Sequence, residues 1–340
     1  MKRTLLLAAL FLVLGAGAWY ALHLKKNQSG THVSPDMDFA VKDVSEVGKI
    51  FIADRKGNSA TLERKDDYWE YNGKYPARPT AVQSLLETIS QLKVQYIPTE
   101  SSEESMVKTL ATNGIKVEIY NLGGNKIKSY YVGGVTNDER GTIMIMDGAE
   151  KPYVMHIPAF IGQLRVRYFL GDDNWRDRAV FKEKPEDIQS VAVEYSQQKS
   201  ESFRLEKIGE AAYTVTPFFS TTTPARGAQR KGVPEAYLLQ FERLVSEGFE
   251  TNNPVRDSVT SLVPFATVTV KNTAGTVKKV RFWPVDVEQD PVTGRRYIVR
   301  YFTDMNDGES FLLTQELVFG PIFRGYQFFF EGQDEKRLKN

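Results

Sequence analysis

Ile115-Lys116-Val117-Glu118-Ile119 alternates apolar and polar residues, turns through Asn121-Leu122-Gly123-Gly124, and returns as Ile127 to Val132. A period of two with turn residues at its centre predicts a β-hairpin that buries one face. The pattern comes again later in the chain. Ala266 to Val270 alternates, Asn272-Thr273-Ala274-Gly275 turns, and Val277 to Trp283 returns. Asn121 falls on Asn272 and Gly124 on Gly275, so the chain reads as two diverged copies of one unit.

The elements around each hairpin keep the same order. Phe39 leads into Val47-Gly48-Lys49-Ile50-Phe51-Ile52, and Phe181 into Ile188-Gln189-Ser190-Val191-Ala192-Val193. A second strand follows in each copy, Thr61 to Arg64 and Ser202 to Leu205, ending near Trp69 or Tyr213. Next comes an amphipathic helix. Val82, Leu85, Leu86, Ile89 and Leu92 carry its 3.6-residue period in the first copy, and Tyr237, Leu238, Phe241 and Leu244 in the second. Pro79 and Pro234 stand near the helix starts, where a missing N–H costs least. A second short helix is expected from Glu103 to Thr112, with Ser101 and Glu104 in capping-box spacing and Gly114 as its stop; Pro254 to Leu262 is its counterpart. Each copy then has a closing hairpin, Gly141 to Met146 with Tyr153 to Ile157, and Arg296 to Phe302 with Ser310 to Leu313. Apolar segments Ala159 to Leu164 and Glu316 to Phe323 end them. The order predicts an α+β fold, a duplicated unit of antiparallel or mixed sheet covered by helices, in two lobes. The expected organisation is a membrane anchor or signal segment over 1–26, a linker over 27–37, repeats over 38–170 and 171–332, and a polar tail over 333–340.

The N-terminus bears on location. Lys2 and Arg3 precede an apolar run from Thr4 to Leu24, closed by Lys25-Lys26. About 20 residues at 1.5 Å each just cross a hydrocarbon core of about 30 Å. The run is read as a transmembrane helix, with the body on the extracytoplasmic side of the cytoplasmic membrane. Ala16-Gly17-Ala18 also has the form of a signal-peptidase site, so cleavage after Ala18 stays open. Among the 340 residues, Lys plus Arg number 44 and Asp plus Glu 43; the net charge of +1 gives no long-range field that would select nucleic acid. Cysteine is absent, which excludes disulfides, thiolate metal sites and a Cys nucleophile.

No residue pattern announces catalysis. The three histidines, His23, His32 and His156, form no ligand cluster, and Leu122-Gly123-Gly124 is a turn rather than a phosphate cradle. Asp138-Glu139, Asp172-Asp173 and the group Asp286, Glu288 and Asp290 sit in polar stretches that suit solvated loops. No cofactor or metal is expected, and no enzyme. Pro76-Ala77-Arg78 recurs as Pro224-Ala225-Arg226, followed by Arg230-Lys231. Arg78, Arg226, Arg230 and Lys231 therefore form a candidate surface for an anionic partner, set against the simpler reading that they solubilise a loop. The aromatic run Phe319, Phe323, Tyr326, Phe328, Phe329 and Phe330 is expected to pack the final lobe.

Several segments resemble an uncharacterised bacterial family catalogued as domain of unknown function 4340. They are the N-terminal span, Tyr68-Trp69, the Leu85-Leu86 helix, Ile115 to Val132, and Trp175-Arg176-Asp177-Arg178-Ala179-Val180-Phe181. The resemblance implies a single-span envelope protein that accompanies transporters of the ATP-binding-cassette type, including gliding-type assemblies. The functional expectation is thus a membrane-tethered accessory or binding module with a membrane-protein partner; the alternative is an envelope hydrolase with an unrecognised carboxylate site.

Overall fold

The computed structural model describes residues 35–210 and 212–332. The expected anchor, most of the linker and the polar tail lie outside the described residues. Among those described, no helix is long and apolar enough to cross a membrane. The chain divides into two compact units between Arg176 and Asp177. The stretch 171–176, expected to open the second copy, stays with the first because Trp175 is fully buried in the first core.

The first unit comprises β1 (Val47–Ala53), β2 (Ser59–Arg64), β3 (Trp69–Tyr71), β4 (Tyr75–Pro76), α1 (Pro79–Gln91), β5 (Lys93–Tyr96), α2 (Glu100–Asn113), β6 (Ile115–Asn121), β7 (Lys126–Val135), β8 (Thr142–Met146), β9 (Tyr153–His156) and a four-residue turn of helix, α3 (Asp172–Trp175). Its strands form one sheet in the order β4-β3-β2-β1-β6-β7-β8-β9-β5. Every pairing is antiparallel. The alternation read from the sequence puts Ile50 opposite both Leu62 and Ile119, and Ile52 opposite Val117. These side chains are fully buried together with Leu85 and Ile89 of α1. Removing each from water stabilises the fold by about 1.5–3 kcal/mol. Pro79 occupies the first turn of α1, as its lack of an N–H favours.

The second unit repeats this plan with β10 (Ala179–Phe181), β11 (Ile188–Tyr195), β12 (Phe203–Gly209), β13 (Ala212–Pro217), α4 (Val233–Leu238), β14 (Leu244–Val245), β15 (Gly248–Phe249), α5 (Arg256–Thr260), β16 (Ala266–Asn272), β17 (Val277–Gln289), β18 (Arg296–Met305), β19 (Ser310–Gln315) and α6 (Glu316–Phe319). The large sheet runs β13-β12-β11-β16-β17-β18-β19-β15. Strand for strand this matches β3-β2-β1-β6-β7-β8-β9-β5, including the last strand, which follows the helix in sequence yet pairs at the far edge.

The correspondence extends to details that packing alone does not demand. Both first strands slip register at the same place, between Val47 and Lys49 and between Ile188 and Ser190. In both hairpins an asparagine clamps the turn. The Asn121 side-chain oxygen accepts from the Asn125 N–H at 2.9 Å, and that of Asn272 from the Thr276 N–H at 2.8 Å. Gly124 and Gly275 follow at φ +79° and +87°, a conformation in which a Cβ is strained. The next turn residue then donates to the loop before the first strand, Leu122 N–H to Glu46 O at 2.9 Å and Thr273 N–H to Asp187 O at 2.8 Å.

Three local expectations are corrected. The second-copy helix stops at Leu238 and tightens to a 3₁₀ turn over Leu239–Phe241, while Leu244 sits in β14 opposite Phe181. A short strand pairing replaces the last helical turn, because Phe181 and Leu244 both bury their side chains there. The capping box at Ser101 and Glu104 does not form: α2 starts at Glu100 with Thr99 before it and no side-chain cap bond. Gly114 is the stop of α2 as expected, in extended backbone at φ −64° with its N–H reaching Leu110 O at 2.8 Å. The counterpart helix α5 is five residues long.

The C-terminal aromatics fill the second core as expected. Phe319 and Phe329 are fully buried, Phe323 and Tyr326 nearly so, and Phe328 half-buried against them. Phe329 sits 4.8 Å from the Phe203 ring and 5.3 Å from Tyr237, centroid to centroid.

Candidate functional site

The four sequence-predicted cations fall into two kinds. Arg78 is half-buried immediately before α1, and its N–H donates to Trp175 O at 2.6 Å. Arg230 is half-buried too; its N–H donates to Phe329 O at 2.8 Å, its Nη1 to Phe328 O at 3.2 Å, and its guanidinium lies 5.7 Å from the Phe328 ring centroid. Neighbouring residues make matching isolated bridges, Ala77 with Arg176 and Gln229 with Phe330. The structural counterpart of Arg78 is therefore Arg230, and the repeated Pro-Ala-Arg tripeptide does not align the two units. Arg226 and Lys231 are exposed and point to solvent.

The sheet face of the first unit turned away from α1 carries a tied network. Lys49 stands opposite Tyr120, Phe51 opposite Glu118, and Lys116 opposite Tyr131. The Lys49 ammonium lies 4.4 Å from the Tyr120 ring centroid. Glu118 accepts from the Tyr120 hydroxyl at 2.7 Å and pairs with Lys116 at 3.1 Å and Lys126 at 3.3 Å. The Tyr120 hydrogen bond, with help from the two ammonium groups, holds the Glu118 carboxyl below its ordinary value despite partial burial. Glu118 is thus engaged by a hydroxyl and two ammonium groups, while Lys49 rests on the Tyr120 ring.

Polar side chains line two of the cavities among the described residues. One of about 440 Å³ in the first unit is lined by Gln95 of β5, Arg140 of the β7–β8 turn, His156 of β9, and Ala159, Phe160 and Ile161 of the loop after β9. His156, one of the three histidines, stands opposite Lys93 in the β5–β9 pairing. Ala159 has φ +64°, a left-handed conformation that costs a non-glycine residue about 1 kcal/mol or more. Phe160 is held by Arg167, whose guanidinium lies 4.6 Å from the ring centroid and donates to Ser84 Oγ of α1 at 2.9 Å. The second cavity, about 420 Å³, lies on the second sheet and is lined by residues that include Ser190, Arg204, Glu206, Lys207, Thr269 and Lys271. Arg204 there pairs with Glu206 at 3.8 Å.

Four of the acids named in the sequence are bonded within the first or second unit: Asp138, Asp286, Glu288 and Asp290. Asp138 accepts from the Thr136 hydroxyl and from the Arg140 N–H, and the hydroxyl bond chiefly keeps its pKa low. Asp290 accepts from the N–H groups of Val292 and Thr293, which likewise lowers its pKa. Asp286 pairs with Arg300 at 2.9 Å and Glu288 accepts from the Tyr297 hydroxyl at 2.7 Å. A carboxyl whose pKa is lowered, as at Asp138 and Asp290, is a poor general acid at neutral pH. Among the described residues no cluster of three or more His, Asp or Glu has the geometry to hold a metal ion.

The model of a family described as a domain of unknown function (DUF4340) matches residues 69–261, more than half of the chain. The chain belongs to this family. The DUF4340 match starts at Trp69 of β3, crosses from the first unit into the second, and ends just past α5. It includes Arg78, Arg226, Arg230, Lys231 and every lining residue of the first cavity. No curated protein and no solved structure matches the chain.

Gln95, Arg140 and Phe160 were not singled out in the sequence. They come from an edge strand, a turn and a loop that β-pairing alone brings together, so no local spacing marks them.

Proposed function

We propose that this DUF4340 protein is a binding module rather than a catalyst, held at the outer face of the cytoplasmic membrane by its N-terminal segment and engaging transport machinery or an envelope polymer. The carrying observation is the lining of the first cavity. It presents a guanidinium, an imidazole and a carboxamide beside an aromatic ring, a set that donates and accepts hydrogen bonds, and none of its lining residues is a carboxylate. A hydrolase of glycosidic bonds needs two carboxyl groups facing each other about 5–10 Å apart. In the second cavity the acid, Glu206, is engaged by Arg204. The exposed cations Arg226 and Lys231 add a surface for an anionic partner. The matching strand orders, register slips and asparagine clamps support descent of both units from one duplicated ancestor.

Co-purification from gently solubilised membranes tests the reading, with the native chain compared with an Arg226→Glu/Lys231→Glu variant. Native chain that brings down a transporter subunit or polymer, with the variant recovering at least severalfold less, supports it. Equal recovery by both discards the cationic surface. Cleavage of an envelope polymer by the purified chain would replace the module with the hydrolase alternative.

A further inference from the structure

We infer that the first cavity is a site for an acidic sugar, a pyranose-sized ligand that carries one carboxylate. The inference rests on the binding-module reading and names the ligand class for its envelope-polymer form.

Charge comes first. Arg140 lines the cavity and makes no close ion pair among the described residues: the Asp138 carboxylate in the same turn accepts from the Thr136 hydroxyl and the Arg140 N–H, and acts on the guanidinium only through its longer-range charge. Lys93, opposite His156 in the β5–β9 pairing, adds a second exposed cation near this end of the sheet, and Glu139 is the exposed acid of the turn. A planar guanidinium with free donors is suited to clasp a carboxylate through two parallel hydrogen bonds.

The remaining lining suits a hydroxylated ring. Gln95 offers both a donor and an acceptor, and the His156 imidazole offers the same pair in its neutral form, which matches hydroxyl groups that also do both. Phe160 supplies an apolar ring surface, and Arg167 fixes it from the side of α1. A volume of about 440 Å³ is at the small end of ligand sites, room for a ring-sized molecule rather than a long acyl chain. Ala159, strained at φ +64°, is the residue that turns the chain so that Phe160 and Ile161 line the cavity.

The test uses the full chain in detergent micelles and sodium D-glucuronate as probe, followed by calorimetry or ligand-observed NMR, with D-glucose and acetate as controls. Glucuronate should bind saturably, and glucose and acetate each at least about tenfold more weakly, the loss expected when a charge-assisted bidentate contact or the ring contacts are absent. Arg140→Gln lies on an exposed turn and should leave folding intact while weakening glucuronate about tenfold and glucose hardly at all. Phe160→Leu is the second variant and should weaken glucuronate and glucose alike. The inference is overturned if glucuronate binds no better than glucose, if acetate binds as well as glucuronate, or if Arg140→Gln leaves glucuronate affinity unchanged. An oligouronate arm separates sources: retained binding of the oligomer identifies a polymer unit, and its exclusion with monomer binding intact identifies the free sugar. Recovery of a membrane partner with no glucuronate binding would sink this inference alone, whereas cleavage of the oligouronate would sink the module reading beneath it.

Discussion

Trp175→Ala should unfold the first unit with a loss of about 4 kcal/mol. The indole is fully buried beside the core and edge-on to Phe169 at 5.4 Å, and its Nε1 donates to Phe169 O at 3.0 Å. Truncating a buried aromatic to alanine costs about 3–5 kcal/mol through lost transfer energy and the cavity left behind. The orphaned Phe169 carbonyl adds less than about 1 kcal/mol, because Phe169 is half-buried and water can replace the donor. The main-chain bond from Arg78 N–H to Trp175 O survives the substitution. Trp175→Phe keeps a ring and loses the indole bond, so about 1–2 kcal/mol is expected from it. Phe329→Ala, at the equivalent strap position of the second unit, should cost about 3–4 kcal/mol. Urea unfolding followed by fluorescence resolves these losses, since Trp69 reports the first unit and Trp283 the second. A shift below about 1 kcal/mol for Trp175→Ala would show that the stretch after Gly171 is not a strap closing the first core.

Asn121→Ala and Asn272→Ala each remove one side-chain clamp at an exposed turn and should each destabilise by about 1 kcal/mol in urea unfolding; unequal losses of more than about 1 kcal/mol would deny that the turns are equivalent. Arg281→Met leaves the Asp304 carboxylate, 1% exposed and 2.7 Å from the guanidinium, without its partner. About 2–3 kcal/mol should be lost, discounted for the partly exposed arginine, and Arg281→Met/Asp304→Leu should regain much of it in thermal unfolding. The depressed pKa of Glu118 means that its contribution is present above the ordinary glutamate value of about 4.3 and lost as pH falls below it towards the folded value. Glu118→Gln should therefore be less stable than the native chain near neutrality and converge with it in acid; a constant gap from pH 3 to 7 would refute the sign.

The two hairpins were legible because their signal is local. Alternation of period two fixes which face of Ile115–Asn121 is buried, and Asn-x-x-Gly fixes the turn in both copies. The core positions of α1 were legible for the same reason. The end of α4 was not, since Leu244 keeps the helical spacing while Phe181, distant in sequence, draws it into a strand. The equivalence of Arg78 with Arg230 was hidden behind a better-looking match at Arg226, because it is set by main-chain contacts to Trp175 and Phe329. His156 stood out as the strand histidine, but its neighbours Gln95, Arg140 and Phe160 meet it only through sheet pairing.

The claim that this protein acts by binding is met most directly by photo-crosslinking in intact membranes, with a photoreactive residue placed at Lys231 and, separately, at the exposed Ile161 beside Arg140 in the first cavity. The account predicts a discrete adduct to a membrane-transport subunit or an envelope polymer from at least one position, lost when Arg226 or Arg140 respectively is also replaced by Glu. No adduct from either position, under conditions that preserve transporter complexes, would contradict it.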